Sequence, residues 1–530
     1  MNATVPSPPA WTSERSAAGP HSPWLITFVV SIATFMVVLD SSIANVALPH
    51  IAGDLAIAPH EATWVLTSFL VANAVIIPIS GWLTEIIGRK RYYMISVALF
   101  TGSSVLCALA PNLTMLIIAR IMQGIGGGGL APNEQSILAD TFPPEKRGMA
   151  FAAYSVVVII GPILGPTVGG YVTDTFSWHW IFLINLPFGI LSLLMVQRFV
   201  TEPAILITER KARWERGVKV DYIGFLLVLA GLGSLTLMLD KGQDEDWFAS
   251  NFIVASAVLA AISLTALVIW ELKQKDPIVR LSLLGNRNFA VVIVIIFLVG
   301  LILFGSTQII PQMLQEVYGY TALNAGLCLT LGGVGILAVM PFAGRLAGKT
   351  DPRMLIIPAF VMLTIGLWHF TTLTPQATFT DLAIARLFQT MALPFVFVTI
   401  NTIAYVGLQP GQTSDASALL NVFRNIGGSI GISASQTILA DNTQFYQQRL
   451  TESLSALNSV FAGAVQSIDL ATGVVGSGQA YLFQQATQQA RFLAYLDVYA
   501  AIAVFMACCL PLFLFVRGSQ RSATAHGGFE

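Results

Sequence analysis

RIMQGIGGGGLAPNEQ, residues 120 to 135, decides how the rest of the chain is read. Gly124, Gly126 and Gly129 satisfy G-x-G-x-x-G, the spacing with which a dinucleotide-binding loop brings backbone up to a pyrophosphate. That chemistry needs a strand before the glycines and a βαβ unit around them. Here the run lies within an apolar, helix-length stretch, about 113–139, with no strand-like alternation ahead of it. Inside a bilayer glycine has another use, because small residues let helix backbones approach closely. Gly124, Gly127 and Gly128 then clear one side of this helix for a neighbour.

The composition makes the bilayer the expected solvent. Of 530 residues 55% are apolar and 10% charged, whereas soluble domains carry about 25% charged residues. A net charge of −1 gives no sign of a nucleic-acid partner. Apolar runs recur along the whole chain, each near the ~20 residues that cross a bilayer as a helix. We read fourteen spans, from 24–48 to 492–516, including 92–110 and 414–440. A soluble protein would need charged outer helix faces, which these runs lack. Residues 1–23, rich in Pro and Ser, read as a disordered cytoplasmic tail and not as a signal peptide, and 517–530 as a second tail. The four cysteines fall in apolar runs without metal-ligand spacing.

Lysine and arginine orient the spans. One side carries Arg89, Lys90 and Arg91, then Lys146 and Arg147, a cluster from Arg198 to Lys219, and Lys273, Arg280, Arg345 and Arg353; the other has only Lys241, Arg449 and Arg491. Both termini are therefore expected in the cytoplasm. An internal repeat accompanies this pattern: GWLTEIIGRKR (81–91) returns as GRLAGKTDPR (344–353), and Arg120-x-x-Gln123 returns as Arg386-x-x-Gln389. The chain thus divides into a six-helix bundle over 24–200, linkers with two inserted helices over 201–288, and a second six-helix bundle over 289–516 that contains an outward hairpin, 441–491. Two similar bundles about a pseudo-axis are the architecture of an alternating-access transporter.

Other enzyme signals fail in context. GRLAGKT has three residues between Gly344 and Gly348 where a phosphate-binding loop has four, and it sits between membrane helices. GGSIG (427–431) matches a nucleophile elbow but falls mid-membrane, where Ser429 reads as a packing residue. H-E-x-x-H is absent. No catalytic group, metal or cofactor is expected.

GPILGPTVGG (161–170) stacks Gly161, Gly165 and Gly169 at i, i+4, i+8, while Pro162 and Pro166 remove backbone donors and bend the helix. Charges inside the spans need a separate account. Asp40 and Arg120 each lie seven or eight residues from an outer helix end, so at matched depth. An ionised carboxylate near mid-membrane costs about 2.5–3.5 kcal/mol and is expected to pair or to line water. Only Asp40 of the two can release its proton. It is the candidate proton carrier with Arg120 as its tuner; the alternative is a static ion pair. Glu134, nearly four turns beyond Arg120 on the same face, reads as a second protonation site, a contact for a cationic substrate, or a carboxylate wetted from the cytoplasm. Asn45, Gln123, Glu134 and Gln389 are the candidate cavity residues. Asp497, Arg386 and Glu316 lie near outer ends, where solvation accounts for them.

LDSSIANVALP (39–49), GWLTEIIGRKR (81–91), RIMQGIGGGG (120–129), GPILGPTVGG (161–170), WHWIFLINLPFG (178–189) and LQEVYGYTA (314–322) occur in order over about 24–516. Together they resemble the fourteen-helix drug:proton antiporters of the major facilitator superfamily, most closely the EmrB-type multidrug exporters. The resemblance implies an all-α, polytopic inner-membrane protein that exports amphipathic small molecules against protons. A narrower exporter of one metabolite (a fatty acid, siderophore or toxin) is the alternative. A non-transporting receptor needs neither matched charges nor a repeat. The resemblance also implies roles: proton coupling for Asp40 and Arg120, an antiporter signature for Gly161, Pro162, Gly165, Pro166 and Gly169, and a gating loop for Gly81, Glu85, Gly88, Arg89 and Arg91. In that loop Glu85 replaces the usual Asp, and its contacts to Arg89 and Arg91 are expected to persist. EmrB-like exporters work with a periplasmic membrane-fusion adaptor (EmrA-like) and an outer-membrane channel (TolC-like). The polar, glutamine-rich hairpin 441–491 fits such docking, with Phe445, Leu450, Leu454 and Leu457 at helical spacing.

Overall fold

The computed structural model describes residues 22–515, apart from residues 203, 216, 218, 219, 275, 348, 349, 407, 409–411, 453 and 455–457. Residues 1–21 of the first tail, the second tail (517–530) and Leu457 lie outside the described residues, and Pro23 already belongs to the first helix. Every regular element among those described is helical. The first half comprises α1 (Pro23–Asp54), α2 (Trp64–Ile87), α3 (Arg89–Ala108), α4 (Leu113–Gly128), α5 (Leu130–Thr141), α6 (Pro144–Thr175), α7 (His179–Leu183) and α8 (Asn185–Phe199). A linker helix, α9 (Ala204–Glu215), precedes the inserted pair α10 (Tyr222–Lys241) and α11 (Asn251–Glu271). The second half comprises α12 (Arg287–Glu316), α13 (Ala322–Ala347), α14 (Pro352–Phe370), α15 (Phe379–Thr390), α16 (Leu393–Ile403), α17 (Thr413–Glu452), α18 (Ser459–Thr472) and α19 (Ser477–Cys509).

Among the described residues, twelve helical stretches are long and apolar enough to cross a membrane. The two remaining positions of a fourteen-span count are α3 and α17, which are more polar. Their polar side chains point inward: Ser96, Thr101, Ser103 and Ser104 of α3 and Ser414, Asp415, Ser417, Asn421, Ser433 and Ser435 of α17 are buried. Such helices line a protein interior, so their composition falls short of a lipid-facing run. By contrast, the inserted pair turns Leu226, Leu229, Val258 and Ile262 outward, as lipid contact requires.

The packing repeats. In the first half α1 packs on α6, α2 on α4 and α8 on α1; in the second α12 packs on α17, α13 on α15 and α19 on α12. The contacts between halves, α6 with α13 and α2 with α17, exchange with each other under the same correspondence. That is the behaviour of a two-fold axis between the bundles. α10 and α11 pack on each other, and α10 lies against α2 and α17, one from each half.

Two span boundaries move. α17 continues to Glu452 and the last spanning helix begins at Ser477, so the hairpin over 441–491 is made from the running-on ends of two spanning helices with α18 between them. Span four breaks at Gly129 into α4 and α5. The glycines of its opening stretch are wedged between two neighbours. A Cβ on Gly124 or Gly128 would strike the α2 backbone at Phe69 (2.6 Å) or Asn73 (2.8 Å), and one on Gly126 would meet Phe100 of α3 at 2.6 Å. GGSIG is likewise helical, with Gly427 and Gly431 against the α12 backbone at Phe297 and Leu301.

Candidate functional site

Asp40 lies in the middle of α1 and is 3% exposed, and Arg120 on α4 is fully buried. Their side chains meet: Arg120 Nη1 donates to Asp40 Oδ2 at 2.7 Å. Matched depth in the sequence has thus become contact. The other carboxylate oxygen, Oδ1, accepts from Gln123 Nε2 (2.8 Å) and from Asn185 Nδ2 (2.6 Å). Asn185 stands at the start of α8 and also donates to Ser104 Oγ of α3 at 2.8 Å. Arg120 donates further to Gln123 Oε1 (2.7 Å) and to the Val65 carbonyl (3.0 Å), with its guanidinium 4.4 Å from the Phe69 ring. Taking two charges out of water costs several kcal/mol each, and good geometry with further hydrogen bonds is what offsets it. Five helices, α1, α2, α3, α4 and α8, converge to supply those bonds.

α6 presses its small residues onto α1 on either side of Asp40. A Cβ on Gly161 would lie 2.7 Å from Val38, one on Gly165 would overlap Ser42, and one on Gly169 would lie 3.1 Å from Ile43. The prolines have a specific consequence here. Pro166 has no N–H, so the carbonyl four residues back, that of Pro162, loses its helical donor. Ser42 Oγ of α1 donates to that carbonyl at 3.3 Å. The opposite face of α6 meets the second half, where a Cβ on Gly326 of α13 would lie 3.0 Å from Thr167.

Glu134, on α5, is fully buried and not wetted from a helix end as one reading of the sequence had it. One oxygen accepts from Thr34 of α1, and the other has no hydrogen-bond partner. Next to it Gln135 Oε1 accepts from Asn421 of α17 at 2.8 Å, a direct bond between the halves. Gln389 is buried and accepts from Arg386 at 2.7 Å, repeating the Arg120–Gln123 pair. Arg386 itself is buried, so solvation at a helix end does not account for it. The offset that carries Arg120 to Arg386 carries Asp40 to Ser306, whose hydroxyl bonds the Leu303 carbonyl. The second half keeps the arginine and lacks the acid. Asn45 is exposed and is not brought to either polar cluster.

At the basic end of the bundle the gating loop is rearranged relative to expectation. Gly88 adopts φ +95° between α2 and α3, a conformation open to glycine. This break turns the chain between Glu85 and Arg89. Arg89 pairs with Asp140 at the end of α5, and Glu85 pairs instead with Arg213 of α9 and with Arg280 (3.2 Å). Arg91 is exposed on α3 and makes no ion pair with Glu85. Gly81 leaves room for Asp415 of α17, whose Oδ1 would lie 2.7 Å from a Cβ there.

The Major Facilitator Superfamily family model matches residues 30–432, most of this chain. The chain belongs to the Major Facilitator Superfamily. Within it, the chain is 38% identical over 493 residues to the probable multidrug resistance protein EmrY of Escherichia coli K12, covering 92% of this chain and 95% of that protein. It is 36% identical over 505 residues to the multidrug export protein EmrB of the same strain, covering 95% and 97%. The fatty acid resistance protein FarB of Neisseria gonorrhoeae is 32% identical over 92% of this chain and 94% of its own length. Among solved structures, the superfamily's proton:xylose symporter XylE superposes with a TM-score of 0.56 at 16% identity, covering 92% of this chain and 96% of that one. The fold is therefore shared across the superfamily well beyond recognisable sequence likeness.

Proposed function

We propose that this protein is a proton-driven antiporter that exports amphipathic small molecules across the inner membrane by alternating access. Multidrug-type efflux is the coarser statement, and the likeness to EmrB and EmrY supports it. The Asp40 site supports the finer one: a single titratable carboxylate, buried mid-helix, faces a cation that cannot lose its proton. Protonation removes the charge Arg120 holds, so the ion pair and the hydrogen bonds from α4 and α8 weaken together. Deprotonation restores them. Glu134, with one oxygen unpartnered, is the second acid on the path, and its neighbour Gln135 bonds across to the second half. Glu134, Gln123 and Gln389 line the proposed cavity; Asn45, exposed, stands outside this cluster.

On this reading the basic end is cytoplasmic, as the lysine and arginine distribution implies, and both termini lie there. Charges at the α2–α3 turn close that end. The adaptor and outer-membrane channel remain part of the proposal through the outward hairpin, which exposes Val460, Leu470, Val474 and Val475 near its tip. An apolar tip on an otherwise polar projection is a surface suited to a protein partner. The likeness to FarB keeps a fatty-acid-like cargo as the second reading.

The test is efflux from everted vesicles of a panel of cationic dyes, neutral drugs and a medium-chain fatty acid, with and without a proton gradient. Gradient-dependent transport of several unrelated amphiphiles supports the reading. Transport of one compound alone favours the narrow exporter, and transport indifferent to the gradient refutes proton coupling.

A further inference from the structure

Arg280 belongs to neither six-helix half; it stands in the segment between α11 and α12. Its guanidinium nevertheless reaches carboxylates of both. Nη2 lies 3.2 Å from Glu85 Oε2 on α2, and Nε lies 3.1 Å from Asp415 Oδ2 on α17. The side chain of Asp415 is 4% exposed and that of Glu85 16%. Two carboxylates held this close and this dry repel, and a cation between them offsets that repulsion. Gly81 supplies the other condition, since any side chain there would displace the Asp415 carboxylate.

The rest of the linker fastens the same place. Arg213 of α9 pairs with Glu85 and lies 3.8 Å from Asp276, and Trp214 Nε1 donates to the Ile86 carbonyl at 3.1 Å. Arg210 donates to both oxygens of Glu202 at 2.8 Å, while Glu202 accepts from the backbone N–H of Arg89 at 3.0 Å. α9 is thereby tied to the end of α2 and the start of α3, both in the first half. Among the described residues, Arg280 is the linker cation seen to pair with a carboxylate of the second half.

We propose that Arg280 is a positioning residue for transport: it latches the cytoplasmic ends of the two halves together, so that the inserted segment sets the balance between outward-open and inward-open states. Opening to the cytoplasm separates Asp415 from Arg280, while Glu85 stays with Arg213 on the first half. A cavity of about 260 Å³ among Glu85, Arg89, Arg210, Arg213 and Arg280 provides the space through which water reaches the parting charges. The proposal rests on the alternating-access reading, but its readout is accessibility and not efflux.

The reporter is a thiol introduced by Ala347→Cys. Ala347 is buried at the cytoplasmic end of α13, where a Cβ on Gly148 of α6 would lie 3.3 Å from it. A hydrophilic maleimide reaches this thiol only when the halves part. In everted vesicles, Arg280→Gln is expected to speed labelling about fivefold, the effect of a partly exposed ion pair. Arg280→Lys, which keeps the charge but not the two-pronged reach, gives an intermediate rate. Lys273→Gln, an exposed cation of the same segment, leaves the rate unchanged. Adding Asp415→Asn to Arg280→Gln removes the exposed repulsion and restores slow labelling, a rescue that a merely misfolded single variant would not show.

A parent-like rate in Arg280→Gln, or a double variant as fast as the single one, overturns the latch. If Arg280→Gln does not reach the membrane, the Arg280→Lys rate and the double variant decide by the same criteria. Labelling of the otherwise unaltered protein that never responds to an imposed proton gradient counts against alternating access itself, separately from these comparisons.

Discussion

Replacing Asp40 by Asn tests the proposed coupling site with almost no change of shape. The carboxylate accepts three side-chain hydrogen bonds, from Arg120, Gln123 and Asn185. The amide offers one acceptor oxygen and places an NH2 among donors, so at least one of these contacts is lost. Arg120, fully buried, is then left without its counter-ion. Removing one partner of a buried pair costs about 3–5 kcal/mol, and the variant should unfold at lower temperature in detergent. The functional effect is separate and larger in kind. One charge moving through 100 mV releases about 2.3 kcal/mol, enough to hold roughly a 50-fold concentration ratio. Without a titratable group that ratio falls to about one, while substrate still binds. The assay is accumulation of a fluorescent amphiphile in everted vesicles energised by respiration, with equilibrium binding to solubilised protein alongside. Asp40→Glu, which keeps the acid, should retain part of the gradient-driven ratio. An Asp40→Asn variant that concentrates substrate as well as the parent would refute the coupling role.

Three further outcomes are expected. Gly165→Leu, whose side chain would occupy the space of Ser42, should fail to assemble or lose transport; normal expression with normal efflux would show that α6 and α1 do not need this approach. Asn185→Ala removes a 2.6 Å hydrogen bond to the Asp40 carboxylate, worth about 1.5–3 kcal/mol for a charged acceptor; thermal unfolding should register that loss, with coupled efflux reduced but present. Replacing residues 445–488 with a Gly/Ser linker should preserve proton-linked exchange in vesicles and lower resistance in whole Gram-negative cells, where cargo must also cross the outer membrane. Equal loss in vesicles and cells would instead assign the hairpin to the transporter's own outer surface.

The sequence made the spans legible because membrane helices must be long and apolar. The pairing of Asp40 with Arg120 was legible from depth alone. Asn185 was not singled out, although it lies in the quoted WHWIFLINLPFG. A single amide at a helix start has no periodicity, and its role appears only when α8 is set against α1 and α3. The expected link of Glu85 to Arg89 and Arg91 failed for a local reason. Continuous helix would put residues 85 and 89 on one face, but Gly88 breaks it with a positive φ, and Arg89 begins a new helix directed at Asp140. Arg213 and Arg280 read only as members of a basic loop, because nothing in a linear pattern says which carboxylate a loop cation will meet. Arg386 was assigned to solvent by its distance from a helix end, whereas α13 and its own Gln389 enclose it.

The bond from Ser42 to the Pro162 carbonyl makes the proline-weakened turn of α6 a shared possession of two helices. An ordinary helix closes its ladder with its own N–H groups and straightens or flexes on its own account. At this point α6 borrows its closing donor from α1, two residues from Asp40. Any flexing of α6 would therefore pull on a hydroxyl beside Asp40, and, on the proposed coupling, any shift of α1 would change how firmly that turn is held. α6 is also the helix whose far face lies against the second half. On the proposed antiport reading this turn would act as a lever, with its fulcrum at Ser42, its short arm at the candidate proton site and its long arm on the opposite bundle. Ser42→Ala would leave both helices folded and the acid in place, yet disconnect the two arms.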